Sequence, residues 1–298
     1  MKVVITGGTG FVGKHLINYY LEQKVSLIVV TRKKPKSGHA LIRYVTWGEL
    51  DSNAQLMDGV DAIINLAGET INQRWSADAK KRILQSRLDA VAHVRTWIER
   101  AENKPVLINA SAIAIYGMSE TEAFIEESDW KKDDFLSGVV DEWEAAAEQI
   151  PDARVVLLRL GVVLGKDGGA FPKMIAPFKL GVGGRIGSGK QQLSWIHVED
   201  LCRLIHFCIE QEELEGPVNA TSPVAVSNDE FGKQVAKRMN KPYRFPVPAF
   251  VMKLLFGEMS QLLLTGQRVL PKVALEKEFQ YKYPVLEFAL VDLLPEKN

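Results

Sequence analysis

MKVVITGGTGFVG, residues 1–13, joins a short β-branched run to a loop in which Gly7, Gly10 and Gly13 fall at GxxGxxG spacing. The run predicts a strand over Lys2–Thr6, and the spacing of Val12, Leu16, Tyr19 and Tyr20 predicts a helix from Phe11 to Gln23. A glycine loop between a first strand and a first helix is suited to a pyrophosphate. Glycine permits the tight turn, brings backbone N–H groups close to the phosphates and lets helix and strand pack closely. The helix N-terminus adds its positive dipole end. Gly7, Thr9, Gly10, Phe11, Val12 and Gly13 are therefore the expected phosphate-side contacts.

Outward from this loop, strand-like and helix-like segments alternate. Further strands are expected at Ser26–Thr31, Arg43–Trp47, Ala62–Leu66, Val106–Ile115 and Val155–Leu160, and helices at Ala77–Glu102 and about 136–149. Strands apolar on both faces and separated by helices indicate a parallel sheet covered on both sides. The fold class is α/β: a Rossmann-like, doubly wound parallel sheet with a smaller C-terminal α+β lobe on the substrate side. The dinucleotide-binding domain is expected over 1–165, with 190–222 returning to it, and the lobe mainly over 166–298. Gly165–Gly189 reads as a loop and short-helix region bordering a cleft. Beyond it the pattern predicts a strand at Ser194–Val198, a helix over about Glu199–Gln211, a strand at Val218–Thr221, and a helix over Asn228–Asn240 with Asn228 as N-cap.

Thirty-seven basic and 37 acidic side chains cancel across 298 residues, so no net field favours nucleic acid or an anionic membrane. The sole cysteines, Cys202 and Cys208, lie six apart on a predicted helix, too far around it to bridge, and read as buried hydrophobes in a reducing compartment. With no long apolar run at the N-terminus, a cytoplasmic protein is expected. His15, His39, His93, His197 and His206 are scattered without metal-ligand spacing.

The end of the second predicted strand selects the dinucleotide. NAD-binding folds of this type usually place Asp or Glu there to hold the ribose 2′-hydroxyl. This chain reads Thr31-Arg32-Lys33-Lys34. A carboxylate repels a 2′-phosphate, whereas Arg holds it with charge-assisted hydrogen bonds, so NADPH is expected over NADH.

GGTGFVG, Asn65-Leu66-Ala67-Gly68, and SAIAIYG over 111–117 together resemble the extended short-chain dehydrogenases/reductases. AGETINQRW (67–75), WEAAA (143–147), LRLGVVLGKDGGAFPKM (158–174), GSGKQQLSWIHVEDL (187–201) and the segment over 263–284 narrow the resemblance. They are similar to a subgroup of epimerase-family proteins carrying a C-terminal module, here about 246–295. The resemblance spans essentially the whole chain. It implies an NADP-binding core with Thr31 and Arg32 at the 2′-phosphate and Leu66, Ala67 and Gly68 along the cofactor. Arg82 and Arg87 are further candidate contacts, with helix-surface cations as the alternative.

In the wider family a Tyr, and a Lys four residues on, exchange the proton. Here the corresponding helix reads Leu136-Ser-Gly-Val-Val140, with Val140 about where the Lys falls. The literal Tyr20 and Lys24 pair sits at the far end of the first helix and is a coincidence of spacing. Ser111 and Tyr116 remain as candidate catalytic hydroxyls. On the substrate side the candidates are Glu69, Arg74 and Trp75 in the loop after the fourth strand, Arg185 in the glycine-rich segment, and Trp195 and His197 at the SWIHVED junction. Two readings follow: an NADP-dependent epimerase or oxidoreductase acting on a small polar, nucleotide-sugar-like compound, or a non-catalytic NADP(H) sensor working through a protein partner. Retention of the glycine-rich segment favours the first and loss of the Tyr–Lys pair the second. The oligomeric state is not legible in the sequence.

Overall fold

The computed structural model describes residues 1–36, 38–129 and 132–295. Seven parallel strands form the central sheet: β1 (Lys2–Thr6), β2 (Ser26–Val30), β3 (Ile42–Val45), β4 (Ala62–Asn65), β5 (Val106–Ala112), β7 (Val155–Leu160) and β12 (Gly216–Ala220). Their order, β3-β2-β1-β4-β5-β7-β12, is that of a doubly wound dinucleotide fold, with the reversal between β1 and β4. The two-residue β6 (Ala123–Phe124) lies outside this sheet.

Strand alternation builds two cores at once. Val3, Leu27, Ala62 and Val106 are register partners facing one side, where Leu16 and Tyr20 of α1 (Phe11–Glu22) and Leu201 and Leu204 of α6 (Val198–Glu210) cover them. Val4, Ile28, Ile63 and Leu107 face the other, under α2 (Trp47–Ser52), α3 (Ala77–Arg100) and α4 (Phe135–Glu148). A strand buried on both faces can be apolar throughout, and these are.

The remaining elements build the C-terminal side. β8 (Val162–Gly165), β9 (Gly168–Gly169) and β11 (Trp195–His197) form a three-stranded sheet, β10 (Gln192–Leu193) pairs with β13 (Val226–Ser227), and β14 (Arg268–Val269) pairs with β6. Between and beyond them run α5 (Phe171–Lys179), α7 (Asn228–Arg238), α8 (Ala249–Phe256), α9 (Gln261–Leu264), α10 (Lys272–Glu276) and α11 (Leu286–Leu293). Leu164, Phe171, Trp195, Phe231, Val235, Leu286 and Leu290 share one buried cluster, so α5, α7 and α11 have a core of their own. Ala274 and Phe279 instead join the main core beside Val218 and Leu201, which stitches the two sides together.

Several boundaries differ from the sequence reading for local reasons. The third strand stops at Val45 because Thr46 caps α2 in a capping box with Glu49, so Trp47 begins a helix. The fifth strand ends at Ala112, and Ile113–Tyr116 form a 3₁₀ turn closed by Gly117. The cap of α7 is Ser227, boxed with Glu230, and Asn228 is the first helical residue. Cys202 and Cys208 are buried and unpaired, and burial pushes both thiols up to about 12.

Gly7 has φ +67°. A Cβ on it lies 2.6 Å from the Leu66 carbonyl oxygen, and one on Gly13 lies 2.5 Å from the Gly7 carbonyl oxygen. Gly138 on α4 has open space instead. Thermal unfolding should separate them: Gly7→Ala is expected to cost about 2 kcal/mol from strain and crowding. Gly138→Ala should gain about 0.5–1 kcal/mol from helix propensity.

Candidate functional site

The carboxyl ends of β1, β4 and β5 carry a buried polar ladder. Thr6 Oγ1 donates to Asn65 Oδ1 at 2.6 Å, and Asn65 Nδ2 donates to Asn109 Oδ1 at 2.7 Å. The Ala67 N–H donates to Thr6 Oγ1 at 3.2 Å, which fixes where the chain leaves β4 beside the glycine loop. Fully buried polar side chains persist only when paired, so the ladder sets the mutual height of the strands bordering the crevice.

Beside it, Gly10 caps α1 in extended geometry without a side-chain bond, leaving the helix N-terminus open toward a ligand. The Gly10 N–H donates to the Gly7 carbonyl at 2.9 Å, closing the turn. The Phe11 ring lies against the β8–β9 hairpin so tightly that a Cβ on Gly165 or Gly168 comes within 2.5 Å of it. His15, one turn on, pairs with Asp167 of the same hairpin at 2.8 Å.

At the end of β2, Thr31 is buried and its hydroxyl donates to the Lys33 carbonyl at 3.1 Å. The three cations that follow are not equivalent. Lys34 pairs with Glu49 at 2.5 Å, and with the Thr46 cap this holds the Glu49 carboxyl down to about 2. Arg32 is exposed, and among the described residues no acid faces its guanidinium.

The loop after β4 is braced from beneath. Arg87 donates to the Glu69 carbonyl at 3.1 Å and to the Ile83 carbonyl at 2.7 Å, and lies 5.0 Å over the Trp143 ring. A Cβ on Gly68 meets this guanidinium at 3.1 Å. Burial draws the Arg87 pKa down to about 10. Arg82 is exposed and pairs with Glu69 at 3.1 Å, and Gln73 and Arg82 hold the Glu69 carboxyl below its ordinary range. The structure thus gives both arginines partners within the loop: Arg87 as its internal brace, Arg82 as a surface cation. Trp75 anchors the same loop, buried against Phe135 with Nε1 donating to the Ile71 carbonyl at 2.9 Å. Arg74 is exposed beside it.

The position of the family's lysine, Val140, is buried with Ile115, Tyr116, Phe124 and Val269. Leu136, one turn earlier, is buried with Trp75, Ile83 and Val139. Tyr20 is likewise core, far from this helix in the sequence.

Ser111 and Tyr116, the candidate catalytic hydroxyls, both lie in a buried polar network. Ser111 Oγ donates to Glu144 Oε1, and Glu144 forms a bidentate pair with Arg159 at 3.0 and 2.8 Å. Arg159 also donates to Tyr116 Oη at 2.8 Å, and Tyr116 donates to Asn219 Oδ1 at 2.8 Å. Both hydroxyls are buried with their partners in place, and burial raises the Tyr116 pKa to about 12. Burial opposes the charge on Arg159, but the Glu144 carboxylate more than offsets it, leaving the guanidinium above its ordinary range. The network continues to Glu126, which accepts from the N–H groups of Asn219, Lys272 and Val273 at 3.0, 3.1 and 3.2 Å. A charged residue inside the apolar run VVLLRL was the sequence signal for it, and it was missed.

The SWIHVED residues are structural as well. Trp195 is fully buried in the C-terminal-side core, with Nε1 donating to the Val224 carbonyl at 3.0 Å. His197 caps α6, accepting from the Glu199 N–H at 3.1 Å, and lies 3.9 Å from the Tyr283 ring. Burial lowers its pKa against the pull of Asp292. Asp200 accepts from the N–H groups of Lys282 and Tyr283 at 2.9 and 2.8 Å, clasping the C-terminal segment to α6. Arg185 is exposed on the glycine-rich segment.

Residues 3–220 match the NAD dependent epimerase/dehydratase family, and residues 247–293 match a domain of unknown function, DUF1731. The chain belongs to that epimerase/dehydratase family. It is 40% identical over 302 residues to the epimerase family protein YfhF of Bacillus subtilis, covering 100% of this chain and 99% of that one. Human epimerase family protein SDR39U1, solved with NADPH, superposes with a TM-score of 0.92 at 35% identity, over 100% of both chains. A nucleoside-diphosphate sugar epimerase from Corynebacterium glutamicum superposes with a TM-score of 0.80 at 29% identity, covering 99% of this chain but 58% of that one. The fold is that of an NAD(P)-binding protein, and the loop has the tight turn a dinucleotide needs: Gly7 and Gly13 leave no room for a Cβ between the loop, the end of β4 and the start of α1.

The buried pair makes a sharp contrast testable by chemical denaturation. Arg159→Met alone should cost about 3–5 kcal/mol, because it strands the Glu144 carboxylate. Adding Glu144→Leu should recover most of that loss.

Proposed function

We propose that this family member binds NADPH in preference to NADH and acts with it on a small polar, nucleotide-linked hydroxy or keto compound. The observation carrying the cofactor choice is the unequal use of cations after β2: Lys34 is spent on Glu49, while Arg32 is exposed with no acidic partner among the described residues. The NADPH in the human relative supports the same choice. Gly7, Thr9, Gly10, Phe11, Val12 and Gly13 supply the phosphate cradle. Thr31 holds the turn that presents Arg32, and Leu66, Ala67 and Gly68 form the neighbouring wall. The nicotinamide, when bound, supplies hydride chemistry.

The chain's own part is orientation. Val140 and Leu136 offer no proton at the family's positions, and the Ser111 and Tyr116 hydroxyls are committed to the buried network. Glu69, kept ionised by Gln73 and Arg82, accepts hydrogen bonds from substrate hydroxyls, while Arg74 and Arg185 attract its phosphates. The proton then moves between substrate and water. The apolar Leu136–Val140 turn equally favours a second reading, an NADP(H) sensor that turns nothing over.

Titration of the purified chain with each dinucleotide decides the cofactor. NADPH should bind at least about 10-fold more tightly than NADH, the worth of one or two charge-assisted hydrogen bonds. Arg32→Asp should erase that preference with little change in NADH affinity. Equal affinity in the unaltered protein defeats the assignment. Following nicotinamide absorbance against a panel of sugar nucleotides and small carbonyl compounds then separates the two readings: turnover establishes the enzyme, and tight NADPH binding without turnover the sensor.

A further inference from the structure

The chain is neutral overall, yet its charge is not evenly spread. Between Gly168 and Val198 there are four basic side chains and no acidic one, and between Phe231 and Gly257 six basic and no acidic one. The fold brings these two stretches together. The Arg244 and Phe245 N–H groups donate to the Gly183 carbonyl at 3.1 and 3.3 Å, and Ile186 bridges to Val247. The start of α8 sits beside Gly187, whose Cβ position is 3.9 Å from the Ala249 side chain.

The same two stretches also expose large apolar side chains. On α8 (AFVMKLLF) only Met252 is buried, while Leu254 is 84% exposed and Phe250 69%. Phe250 and Leu254, four apart, form one stripe of the helix, and Leu255 widens it. At the end of α5, Leu180 is 79% exposed, with Lys179 beside it. Exposed aliphatic side chains beside Lys179, Arg244 and Lys253, which pair with no acid among the described residues, carry a specific chemistry.

We propose that this face docks on an anionic lipid surface. Leu180, Phe250, Leu254 and Leu255 enter the boundary between headgroups and acyl chains, as the apolar side of an interfacial helix does. Lys179, Lys253 and Arg244 stay at headgroup level, where the negative leaflet attracts them within a Debye length. Leucines offer nothing to a nucleic-acid backbone. A second copy is a poor fit, because a two-fold contact through this face opposes two predominantly basic patches, and Glu258 after α8 is already paired with Lys80 at 2.6 Å. Asp229 at the margin is already paired with Lys233 at 2.6 Å and bonded by the Tyr243 hydroxyl at 2.8 Å.

Co-sedimentation of the full chain with vesicles tests this. Vesicles of equal parts phosphatidylglycerol and phosphatidylcholine should pull down at least ~10-fold more protein than phosphatidylcholine alone, and added salt should release it. The double variant Leu254→Asp/Leu255→Asp should lose binding while keeping NADPH affinity, which confirms its fold. Lys179→Glu/Lys253→Glu should weaken binding and blunt its dependence on anionic lipid. Three outcomes overturn the proposal. One is no sedimentation with anionic vesicles at low salt. Another is binding that the double aspartate variant leaves unchanged. The third is self-association in solution that the same variant abolishes, with no vesicle binding, which makes the face a subunit contact.

Discussion

Arg159 is a buried cation on β7, the strand beside the edge of the parallel sheet, and elements from both halves of the chain meet around it. Burying a guanidinium is costly unless a carboxylate meets it with good geometry and its remaining donors find acceptors. Glu144 of α4 supplies the first, bidentately, and Tyr116 and the Glu126 carbonyl supply the second. Each partner is itself held: Tyr116 by Asn219 on the edge strand β12, and Glu126 by the N–H groups that begin α10. One buried charge thereby fixes the relation of α4, the 3₁₀ turn, β12 and the C-terminal module.

This arrangement also explains what has become of the family's catalytic geometry. The turn where a tyrosine and lysine do their work elsewhere is here a seam of packing, with Leu136 against Trp75 and Val140 against Tyr116. An aromatic hydroxyl and a serine do lie near the expected place, but both serve the interior. Cofactor binding and structural stability are separate tasks in this chain. The first is proposed for the glycine loop and Arg32, and the second belongs to charged residues hidden a few strands away.

The fold was legible because its signals are local and repeated. The glycine loop fixed the first strand and helix, and two-faced apolar strands separated by helices could only be a covered parallel sheet. The errors fell where one side chain overrode a propensity: Thr46 with Glu49 turned the end of a β-branched run into a helix, and Ser227 with Glu230 took the cap from Asn228. The site was legible only in part. Arg32 could be singled out because the reading proposed for it rests only on the strand end that carries it. Glu144, Arg159 and Asn219 do not, because their meaning is a meeting of side chains 15 to 103 residues apart in the chain. Arg87 read as a helix-surface cation or a cofactor contact, and only the fold shows it folded under Gly68 as a brace.

Glu126 has a consequence for the order in which the protein assembles. Two of the three N–H groups that satisfy its carboxylate belong to Lys272 and Val273, 146 and 147 residues further along the chain. During synthesis, which proceeds at about 5–20 residues per second, the sheet and its glycine loop emerge well before those donors exist. For several seconds the nascent protein holds its sheet and glycine loop while Glu126 lacks two of its three donors. The segment that completes the shell around Glu126 is thus among the last to be made, a keystone supplied after the arch.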